Sequence, residues 1–419
     1  MRRTHAASAS AFRQKGEPSM ILVGVDVASV KHDVAIMRDT GETIKANFTI
    51  PNNASGYKKL LAEIEKAEKL YPKDTIRIGL ESTGVYSAAL TEFLAGRFKE
   101  SVILINPILT SMFELSIHVH YAKTDRTDAQ GICKFLSKNQ DIRPYAPVSY
   151  HTRQLRSLYR ERTKINKRIN QDSNRLKGML HIVFPEFLSK KHNTLGLFEL
   201  EFLSRYPTAD SVKKETVKSM TKSLSSVSYI RAGREKIQKI IDTAKNSIGS
   251  TALGDGFIIA ETARRILFYR RQIKEINEMI VGLVEKEYSY LLTIPGVGAV
   301  TIAGIVGEIG DVRNYHGSDS IVALAGLNPY VYESGNYQAT HTRITKKGSS
   351  YLRNAIFMAV QSMYLHRAEP IYGYVNRKRK EGKKRICALD HAARKFCNII
   401  FSMMKSKAEF RPKTISTKS

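Results

Sequence analysis

Residues 20–38 read MILVGVDVASVKHDVAIMR, and the first half of this apolar stretch contains one carboxylate, that of Asp26. The β-branched residues Ile21, Val23 and Val25 predict a strand that is covered on both faces. The apolar segment after the polar turn predicts an antiparallel partner strand. A carboxylate in such a strand needs a cation or a hydrogen-bond network. Taken alone, Asp26 is better explained as a strand-end residue bonded to the turn amides.

The following residues continue an alternation of strands and helices. Apolar runs bounded by turn residues predict strands, and apolar residues at helical spacing predict helices. In chain order we expect a strand at 43–50, a helix at 56–69, and strands at 75–80 and 102–105 with a helix at 86–94 between them. This order predicts an α/β domain that extends from residue 20 to about residue 145.

Three more carboxylates lie at the ends of predicted elements. Glu81 follows the strand at 75–80 directly, and open α/β sheets bind their ligands at the carboxyl ends of strands. Asp125 and Asp128 are three residues apart at the start of a helical pattern, so both lie on one face of its first turn. For this pair alone, a cap or a favourable interaction with the helix dipole is the better explanation.

The balance changes when the four carboxylates are considered together. Two strand ends and one helix start can hold two divalent ions about 4 Å apart, the arrangement that activates water and stabilises the leaving oxygen in phosphodiester cleavage. Oxygen ligands without His or Cys favour Mg²⁺ or Mn²⁺. The predicted ligands, which are also the predicted catalytic acids, are Asp26, Glu81, Asp125 and Asp128.

Composition indicates a polyanionic partner. The chain has 419 residues, 42% of them hydrophobic, enough for two or three domains with their own cores. Lys and Arg number 67 against 39 Asp and Glu, a formal charge of +28. Nucleic acid is the partner that this excess favours. The alternative, a generally basic protein, does not explain basic clusters and a set of acids in the same chain.

Other classes of protein are disfavoured. Cys133, Cys387 and Cys397 are too scattered for a disulfide framework or a zinc site, and they fit a reducing cytoplasm. No apolar run approaches the roughly 18 residues that a membrane-spanning helix needs. Residues 1–19 are interpreted as a disordered extension rather than a transit-like leader, because Met20 opens the first strand.

The middle region, residues 146–290, is predicted to be helical and basic. Residues 151–180 keep apolar residues at heptad-like spacing and carry nine basic residues against two acidic ones. Phosphate contact explains this excess better than a solvated face does. A second long helix begins near Ile259, and the two helices form either an antiparallel pair within the chain or a coiled coil between subunits. The predicted nucleic-acid contacts here are Arg153, Arg156, Arg160, Lys164, Lys167 and Arg168.

The region from 291 to about 405 opens with the motif IPGVG, which predicts a helix-hairpin-helix. Gly296 and Gly298 would let backbone amides approach a phosphate at the start of the next helix. A tight turn packed in the core explains the same residues equally well. Further along, the run RKRKEGKKR at 377–385 is interpreted as a patch that binds the nucleic-acid backbone, with a solvated loop as the alternative.

Three serines in this region are candidates for a nucleophile. Ser349 and Ser350 directly precede a predicted helix, so an N-cap role explains at least one of them. Ser334 lies at a strand-to-turn junction. A serine hydroxyl needs a proton acceptor and cations around its target phosphate. His341 is a weak candidate for the acceptor, and the carboxylate site would serve if the two domains meet. The cations downstream are Arg343, Lys346, Lys347 and Arg353.

The order GVDVAS, GLESTG and KTDRTDAQ resembles the RuvC-like, ribonuclease-H-type domain of the DEDD insertion-sequence transposases, the insertion sequence one-ten family. Similarly, SG followed by KKGxxxLR resembles the C-terminal transposase domain of that family. The resemblance covers the chain from residue 20 to about 405. It implies a ribonuclease-H fold, metal-dependent DNA strand exchange through the four acids, and Ser334 as the nucleophile of a covalent serine–DNA intermediate.

The resemblance also implies a location in a prokaryotic cytoplasm, at the nucleoid, and it implies partners. In that family a structured noncoding RNA from the element itself guides the enzyme and pairs with both target and donor DNA, and the enzyme assembles into dimers or tetramers. The predicted architecture is an α/β ribonuclease-H-like mixed sheet at 20–145, a long helical coiled-coil middle at 146–290, and a mainly helical domain with a helix-hairpin-helix at 291–405. A tail at 406–419 completes the chain.

Three other functions fit parts of the pattern. A kinase-like phosphotransferase needs Gly-rich phosphate loops that the sequence lacks. A junction-resolving endonuclease would use the four acids with water as nucleophile and would not need Ser334. A non-enzymatic nucleic-acid scaffold would not need all four acids.

Overall fold

A computed structural model of the chain shows two compact units, Met1–Pro147 and Val148–Ser419. The division lies within two residues of the predicted end of the first domain, and the boundaries predicted near 290 and 405 stay predictions. The interpretation of residues 1–19 as an extension concerns residues that, apart from Ser19, lie outside the described part. The structure describes residues 19–82, 85–117, 125–142, 144–145, 147–188, 195–225, 233–250, 252, 254–329, 333–334, 337–338 and 344–412.

The first unit is a mixed sheet of five strands with helices on both faces. Its strand order is β3-β2-β1-β4-β5; β2 is antiparallel to β1 and to β3, and β4 is parallel to β1 and to β5. The hairpin predicted from residues 20–38 is confirmed. The strands are β1 (Met20–Val27), β2 (Lys31–Arg38), β3 (Thr43–Pro51), β4 (Thr75–Glu81) and β5 (Val102–Ile105). The helices are α1 (Ala54–Leu70), α2 (Val85–Phe98), α3 (Pro107–Ile117) and α4 (Asp125–Lys138).

Helices cover both faces of β1, which is why its sequence is almost wholly apolar. Residues 21, 23 and 25 are fully buried in one core together with residues of α1 and α2 such as Leu60 and Leu94. Leu22 belongs to a second core on the opposite face, which is built largely by α4. The predicted strand covered on both faces is therefore confirmed.

A close approach of backbones holds α4 against the sheet. A Cβ atom on Gly24 would lie only 2.1 Å from the carbonyl oxygen of Ala129 in α4, so no larger residue fits there without moving the helix. One turn further on, the Cys133 thiol donates hydrogen bonds of 3.5 Å to the carbonyl oxygens of Leu22 and Ala35. Burial raises the pKa of Cys133 to about 12, which keeps the thiol neutral.

The second unit consists mainly of helices. In chain order the helices are α5 (Tyr150–Val183), α6 (Leu197–Arg205), α7 (Ala209–Lys213), α8 (Val217–Ser225), α9 (Arg234–Lys245), α10 (Asp255–Tyr288), α11 (Ala299–Ile309), α12 (Ser318–Leu324), α13 (Ser350–Leu365), α14 (Ile371–Lys380) and α15 (Arg385–Ser406). The short strands β6 (Glu333–Ser334) and β7 (Tyr337–Gln338) pair antiparallel between α12 and α13.

The two long helices α5 and α10 run antiparallel within the chain. Near the start of α5, the hydroxyl groups of Thr152 and Tyr288 are hydrogen-bonded at 2.8 Å. Further along α5, the carboxylate of Asp172 accepts two hydrogen bonds of 2.7 Å from Arg265 of α10. Of the two arrangements that the sequence left open, the intramolecular pair is therefore present, and a coiled coil between subunits stays a prediction.

Two cores lie along this helix pair. One contains the ends of α5 and α10 that are remote from α11, together with α6 to α9; Phe184 and Phe202 are fully buried in it. This core accounts for the described residues between 186 and 250, namely 186–188, 195–225 and 233–250, for which the sequence pattern predicts no definite elements. The other contains α11 to α15. There α11 approaches α5 so closely that a Cβ on Gly307 would lie 2.7 Å from the backbone nitrogen of Arg156.

Two further observations concern the cysteines and the length of apolar helices. All three cysteines are free thiols, with Cys133 and Cys397 buried and Cys387 exposed. Within the described residues, no helix is long and apolar enough to cross a membrane.

Candidate active site

Asp26 and Glu81 lie side by side at the carboxyl ends of neighbouring parallel strands. The pairing of β1 with β4 aligns Gly24 with Gly79, and the same register places Asp26 beside Glu81. Because side chains alternate along a strand, the two carboxylates lie on the same face as Gly24 and Gly79. That face is the one covered by α4, since both glycines contact α4. Both acids are half-buried.

The first turn of α4 lies over the same edge of the sheet. Asp128 directly precedes Ala129, whose carbonyl oxygen makes the close approach to Gly24. Gly24 is two residues before Asp26 on the same strand face, so the half-buried Asp128 and Asp26 lie at one end of the α4–sheet contact. Asp125 is the first residue of α4, and its side chain is outside what the structure describes.

Thr110 orients Glu81, and sequence reasoning missed it. The Thr110 hydroxyl, on the first turn of α3, donates a hydrogen bond to Oε1 of Glu81. Thr110 is buried, and its Oγ1 also lies 3.0 Å from the carbonyl oxygen of Pro107, which fixes the side-chain rotamer. A hydroxyl that holds a carboxylate in this way positions a ligand or catalytic group. The only sequence signal is the Thr three residues after the helix-starting Pro.

A further carboxylate lies next to Asp26, on the neighbouring strand β2. Asp33 of β2 is the register partner of Asp26, so the two side chains lie on one face. The hydroxyl of Thr49 donates a 2.5 Å hydrogen bond to Oδ1 of Asp33. Like charges in directly opposite positions are unfavourable. Glu81, Asp26 and Asp33 thus make this edge of the sheet negative, and a bound cation would relieve the repulsion.

The chemistry of these donors fits a hard divalent cation. All of them are carboxylates, and they lie at one edge of the sheet, where oxygen ligands suit Mg²⁺ or Mn²⁺. Among the described side chains, which leave out that of Asp125, no group of three or more His, Cys, Asp or Glu is tight enough to hold a metal ion.

The structure separates the roles of the candidate serines. Ser349 Oγ accepts a 3.1 Å hydrogen bond from the backbone nitrogen of Leu352 and donates a 2.8 Å hydrogen bond to Oε2 of Glu308. The predicted N-cap role is therefore confirmed for Ser349. Ser334 is the last residue of β6 and pairs with Tyr337 of β7. Its side chain lies outside the described part of the chain, as do His341 and Arg343.

Two of the arginines predicted to bind nucleic acid have partners within the fold. Arg160 forms a bidentate pair with the buried Glu308 at 2.6 and 2.8 Å, and Arg156 Nε donates a 2.5 Å hydrogen bond to the carbonyl oxygen of Gly307. Burial acts to raise the pKa of Glu308, but the hydrogen bonds from Arg160 and Ser349 outweigh it and hold that pKa below its usual value. These arginines fasten α5 to α11.

Five of the other basic residues of α5 are exposed, while Arg162 and Lys177 are half-buried. Four of them, spaced three, four or seven residues apart, form a stripe on one helical face. Such a stripe is free of the packing role that Arg160 has, and its contact with nucleic acid stays a prediction. The stripe consists of Lys164, Lys167, Arg168 and Arg175, while Arg153 is exposed elsewhere on the helix.

The predicted phosphate contacts near α11 and α13 also differ in their surroundings. Gly296 has a positive φ of 77°, and the Ser362 hydroxyl donates a 2.5 Å hydrogen bond to its carbonyl oxygen, so packing of the turn accounts for this glycine. Gly298 precedes α11 and faces open space. Arg353 donates a 2.8 Å hydrogen bond to the carbonyl oxygen of Ala325. Lys346 and Lys347 are exposed.

Comparison with known protein families identifies both parts of the chain. Residues 23–185 match the DEDD-type model of IS110 elements, described as a transposase, and residues 288–375 match the model described as transposase IS116/IS110/IS902 family. The chain belongs to the IS110 family of transposases. This assignment confirms the resemblance found in the sequence and makes the protein an enzyme of the transposase and recombinase type.

Relatives align over nearly the full length. The protein of insertion element IS116 from Streptomyces clavuligerus is 22% identical, over 94% of this chain and 96% of its own. The pilin gene-inverting protein of Moraxella bovis is 22% identical, over 94% and 98% of the two chains. The transposase for insertion sequence element IS1328 from Yersinia enterocolitica is 22% identical, over 84% and 86%.

Arg160→Gln should destabilise the second unit, because Glu308 would stay buried without its ion-pair partner. We expect the free energy of unfolding at neutral pH to fall by about 2–3 kcal/mol, since Arg160 is itself partly exposed. The matched variant Lys167→Gln changes an exposed residue of the same helix and should alter that free energy by less than about 0.5 kcal/mol. Urea denaturation of the full chain measures both.

The same comparison has a defined pH dependence. Because the pKa of Glu308 is lowered in the folded protein, the stability from its carboxylate is fully present above the unfolded pKa and is lost as the pH falls through the folded pKa. The difference between wild type and Arg160→Gln should therefore shrink below about pH 4.5. Equal stability of the two Gln variants at neutral pH would show that Arg160 has no such role.

Proposed function

We propose that this IS110-family transposase cuts and rejoins DNA with two sets of groups, the carboxylates Asp26, Glu81, Asp125 and Asp128 and the hydroxyl of Ser334. The observation that carries the first set is the register of β1 with β4, which places Asp26 beside Glu81 on the face covered by the first turn of α4. Relatives named as a transposase and as a pilin gene-inverting protein support DNA rearrangement as the outcome.

The architecture of the first unit supports a ribonuclease-H-like, RuvC-like fold. An antiparallel β1–β2–β3 meander is extended by β4 and β5 parallel to β1, and the carboxylates lie at the carboxyl ends of β1 and β4. This edge is where α/β sheets present ligand-binding side chains. The helix-hairpin-helix that we propose for the second unit is supported by the Gly296 turn, which directly precedes the start of α11.

Asp26, Glu81, Asp125 and Asp128 would hold divalent ions, which we propose to be two and to be Mg²⁺ or Mn²⁺. When bound, such ions polarise a phosphoryl oxygen and stabilise charge on the leaving oxygen. The chain's own contribution is to fix the ligands. The hydrogen bond from Thr110 orients Glu81, and the contact of α4 with Gly24 fixes the position of Asp128.

Ser334 is the proposed nucleophile. Its Oγ would form a bond to the phosphorus of a DNA backbone linkage, the bond from phosphorus to one backbone oxygen would break, and the hydroxyl proton would pass to a base. Rejoining reverses these steps with the hydroxyl of another DNA end. Ser349 is less suited to this role because its hydroxyl already caps α13 and donates to Glu308. Lys346 and Lys347, both exposed, would neutralise phosphate charge.

A structured noncoding RNA from the element itself is the proposed guide, and the enzyme would act as a dimer or tetramer. The exposed basic stripe on α5 supports a role in RNA or DNA binding, because its cations lie on the face of the helix that is not packed against α10 or α11. Phosphate contacts of this type are independent of base sequence. Recognition of target and donor DNA would therefore come from base pairing with the guide.

Asp26→Asn and Asp128→Asn should each abolish DNA cleavage while leaving nucleic-acid binding intact, because they remove carboxylate ligands without changing side-chain size. Thr110→Val, which removes only the hydroxyl that orients Glu81, should reduce the cleavage rate by about 10- to 100-fold. Glu68→Gln, an exposed acid on α1, is the control and should retain full activity. Cleavage is measured on labelled DNA with and without EDTA. Full activity in either Asn variant, or in EDTA, would rule out the metal site.

Wild-type protein should form a covalent adduct with DNA that survives denaturing gel electrophoresis, and Ser334→Ala should not form it. Ser349→Ala is the matched control; it should keep the adduct while losing about 0.5–2 kcal/mol of stability through its lost helix cap. An adduct from Ser334→Ala would move the role to Ser349 or Ser350. Cleavage by wild type without any adduct would instead support an endonuclease with water as nucleophile.

RNA that co-purifies with the protein, expressed together with its flanking DNA, should map by sequencing to the sequence next to its gene. Neutralising three residues of the α5 stripe, in Lys164→Gln/Lys167→Gln/Arg168→Gln, should lower the amount recovered because phosphate contacts are lost. Recovery of unselected cellular RNA from the wild type would contradict the guided mechanism.

A further inference from the structure

The turn between α14 and α15 is the most basic segment of the second unit that the proposed chemistry leaves unused. Residues 377–385 contain seven basic residues and one acidic residue. We call this segment the α14–α15 basic turn. Its side chains surround a surface cavity of about 610 Å³, lined by Asn376, Arg379, Lys380, Gly382, Lys383, Lys384 and Arg385.

Half of this charge has an ordinary structural explanation. Residues 377–380 form the last turn of α14, and cations are favourable at the negative end of a helix dipole. Lys378 also pairs with Glu381 at 2.7 Å. Backbone amides of the turn, such as that of Gly382, donate to the terminal carbonyl oxygens of α14. These residues would occur in a solvated helix end without any ligand.

The other half has no such explanation. Lys383, Lys384 and Arg385 lie at the start of α15, where the helix dipole is positive and cations are unfavourable. Lys384 occupies the N-cap position, its side chain makes no capping hydrogen bond, and the first turn contains no acidic residue. Ser, Thr, Asp and Asn are the residues that stabilise this position. The start of α15 is therefore less stable than it would be with one of these capping residues.

Other long helices of the chain begin with a side-chain cap or, in α10, with Gly254. Asn53 caps α1, Ser149 caps α5 and Ser349 caps α13, each through a side-chain oxygen that accepts a backbone N–H. The start of α15, a helix of 22 residues, departs from this pattern with a cation. An anion bound there would accept hydrogen bonds from the free amides and would neutralise the three side chains at once.

The two sides of the turn are organised around one aromatic ring. Arg379 Nη1 donates a 3.1 Å hydrogen bond to the hydroxyl of Tyr364, and the guanidinium of Arg385 lies 5.8 Å from the centroid of the same ring. Gly382 turns the chain with a φ of 82°, and a Cβ there would meet no atom within 4 Å. The arginines are held on either side of an open turn.

We propose that the α14–α15 basic turn binds the phosphodiester backbone of a nucleic acid, with phosphate oxygens at the start of α15 and Arg379, Lys383, Lys384 and Arg385 around them. The site would contact phosphate groups and neither bases nor sugars. Because DNA and RNA have the same phosphate groups, either of them could bind. The proposal rests on the proposed function only in taking nucleic acid as the polyanion. It requires neither the four acids nor Ser334.

Lys384→Ser should change the thermal stability and the nucleic-acid affinity of the protein in opposite directions. A serine at this N-cap would accept a hydrogen bond from the first turn of α15 and remove an unfavourable charge, so the melting temperature should rise. Nucleic-acid binding should weaken, and the slope of log Kd against log salt should fall by about one unit, as expected for one lost phosphate contact. Stabilisation without any loss of binding would overturn the proposal.

A triple variant tests the site as a whole. Lys383→Gln/Lys384→Gln/Arg385→Gln is compared with Lys58→Gln/Lys69→Gln/Lys73→Gln, which removes the same charge from exposed positions on and after α1. Binding of the full chain to a short DNA duplex and to an RNA duplex of the same sequence is titrated in EDTA, where cleavage by the acids plays no part. Melting temperatures confirm that both variants are folded.

The first variant should bind about tenfold more weakly and lose about three units of salt slope, with a much smaller effect in the control. If binding is lost only with the DNA duplex or only with the RNA duplex, the site is supported and its ligand is that nucleic acid. If binding is lost with both duplexes, the site binds the backbone of either nucleic acid. Equal binding by the two triple variants on both duplexes would overturn the proposal. Because no cleavage is measured, failure of the catalytic assignments would leave this result unchanged.

Discussion

The contact between α4 and the face of the central sheet is the constraint on which the candidate active site depends. Gly24 and Gly79 are register partners in β1 and β4, and the absence of side chains there lets the helix lie against the strands. The start of α4 is thereby brought to the edge where Asp26 and Glu81 end their strands. Larger residues at the two glycines would move the helix, and with it Asp128, away from the other acids.

The same edge shows how a negative cluster is stabilised in a protein of net charge +28. Asp26 and Asp33 lie opposite each other, and Glu81 is held by a buried hydroxyl. Such an arrangement costs free energy unless cations balance it. Clusters of this kind are typical of functional sites, which is the role that we propose for these acids.

Positive charge, in turn, has two different uses in the second unit. Arg160 and Arg265 make bidentate pairs with carboxylates and fasten helices to one another. Lys167, Arg168 and Lys384 are exposed and leave their charge available to a polyanion. The sequence presents both groups as one basic excess. Only neighbours distant in the chain separate them, because an ion pair depends on which helices pack together.

The sequence by itself determined the order and type of the elements in the first unit except α3, the hairpin that contains Asp26, and the family, because strand and helix periodicity and short motifs are local properties. The tertiary structure decided what depends on long-range packing: the α4 contact, Thr110 and Asp33 beside the predicted acids, the antiparallel pairing of α5 with α10, and the fold of the described residues between 186 and 250. Thr110 and Glu81 are 29 residues apart, and Arg160 and Glu308 are 148 residues apart. No periodicity in a sequence encodes such pairs, since they form only when separate helices and strands pack into a common core.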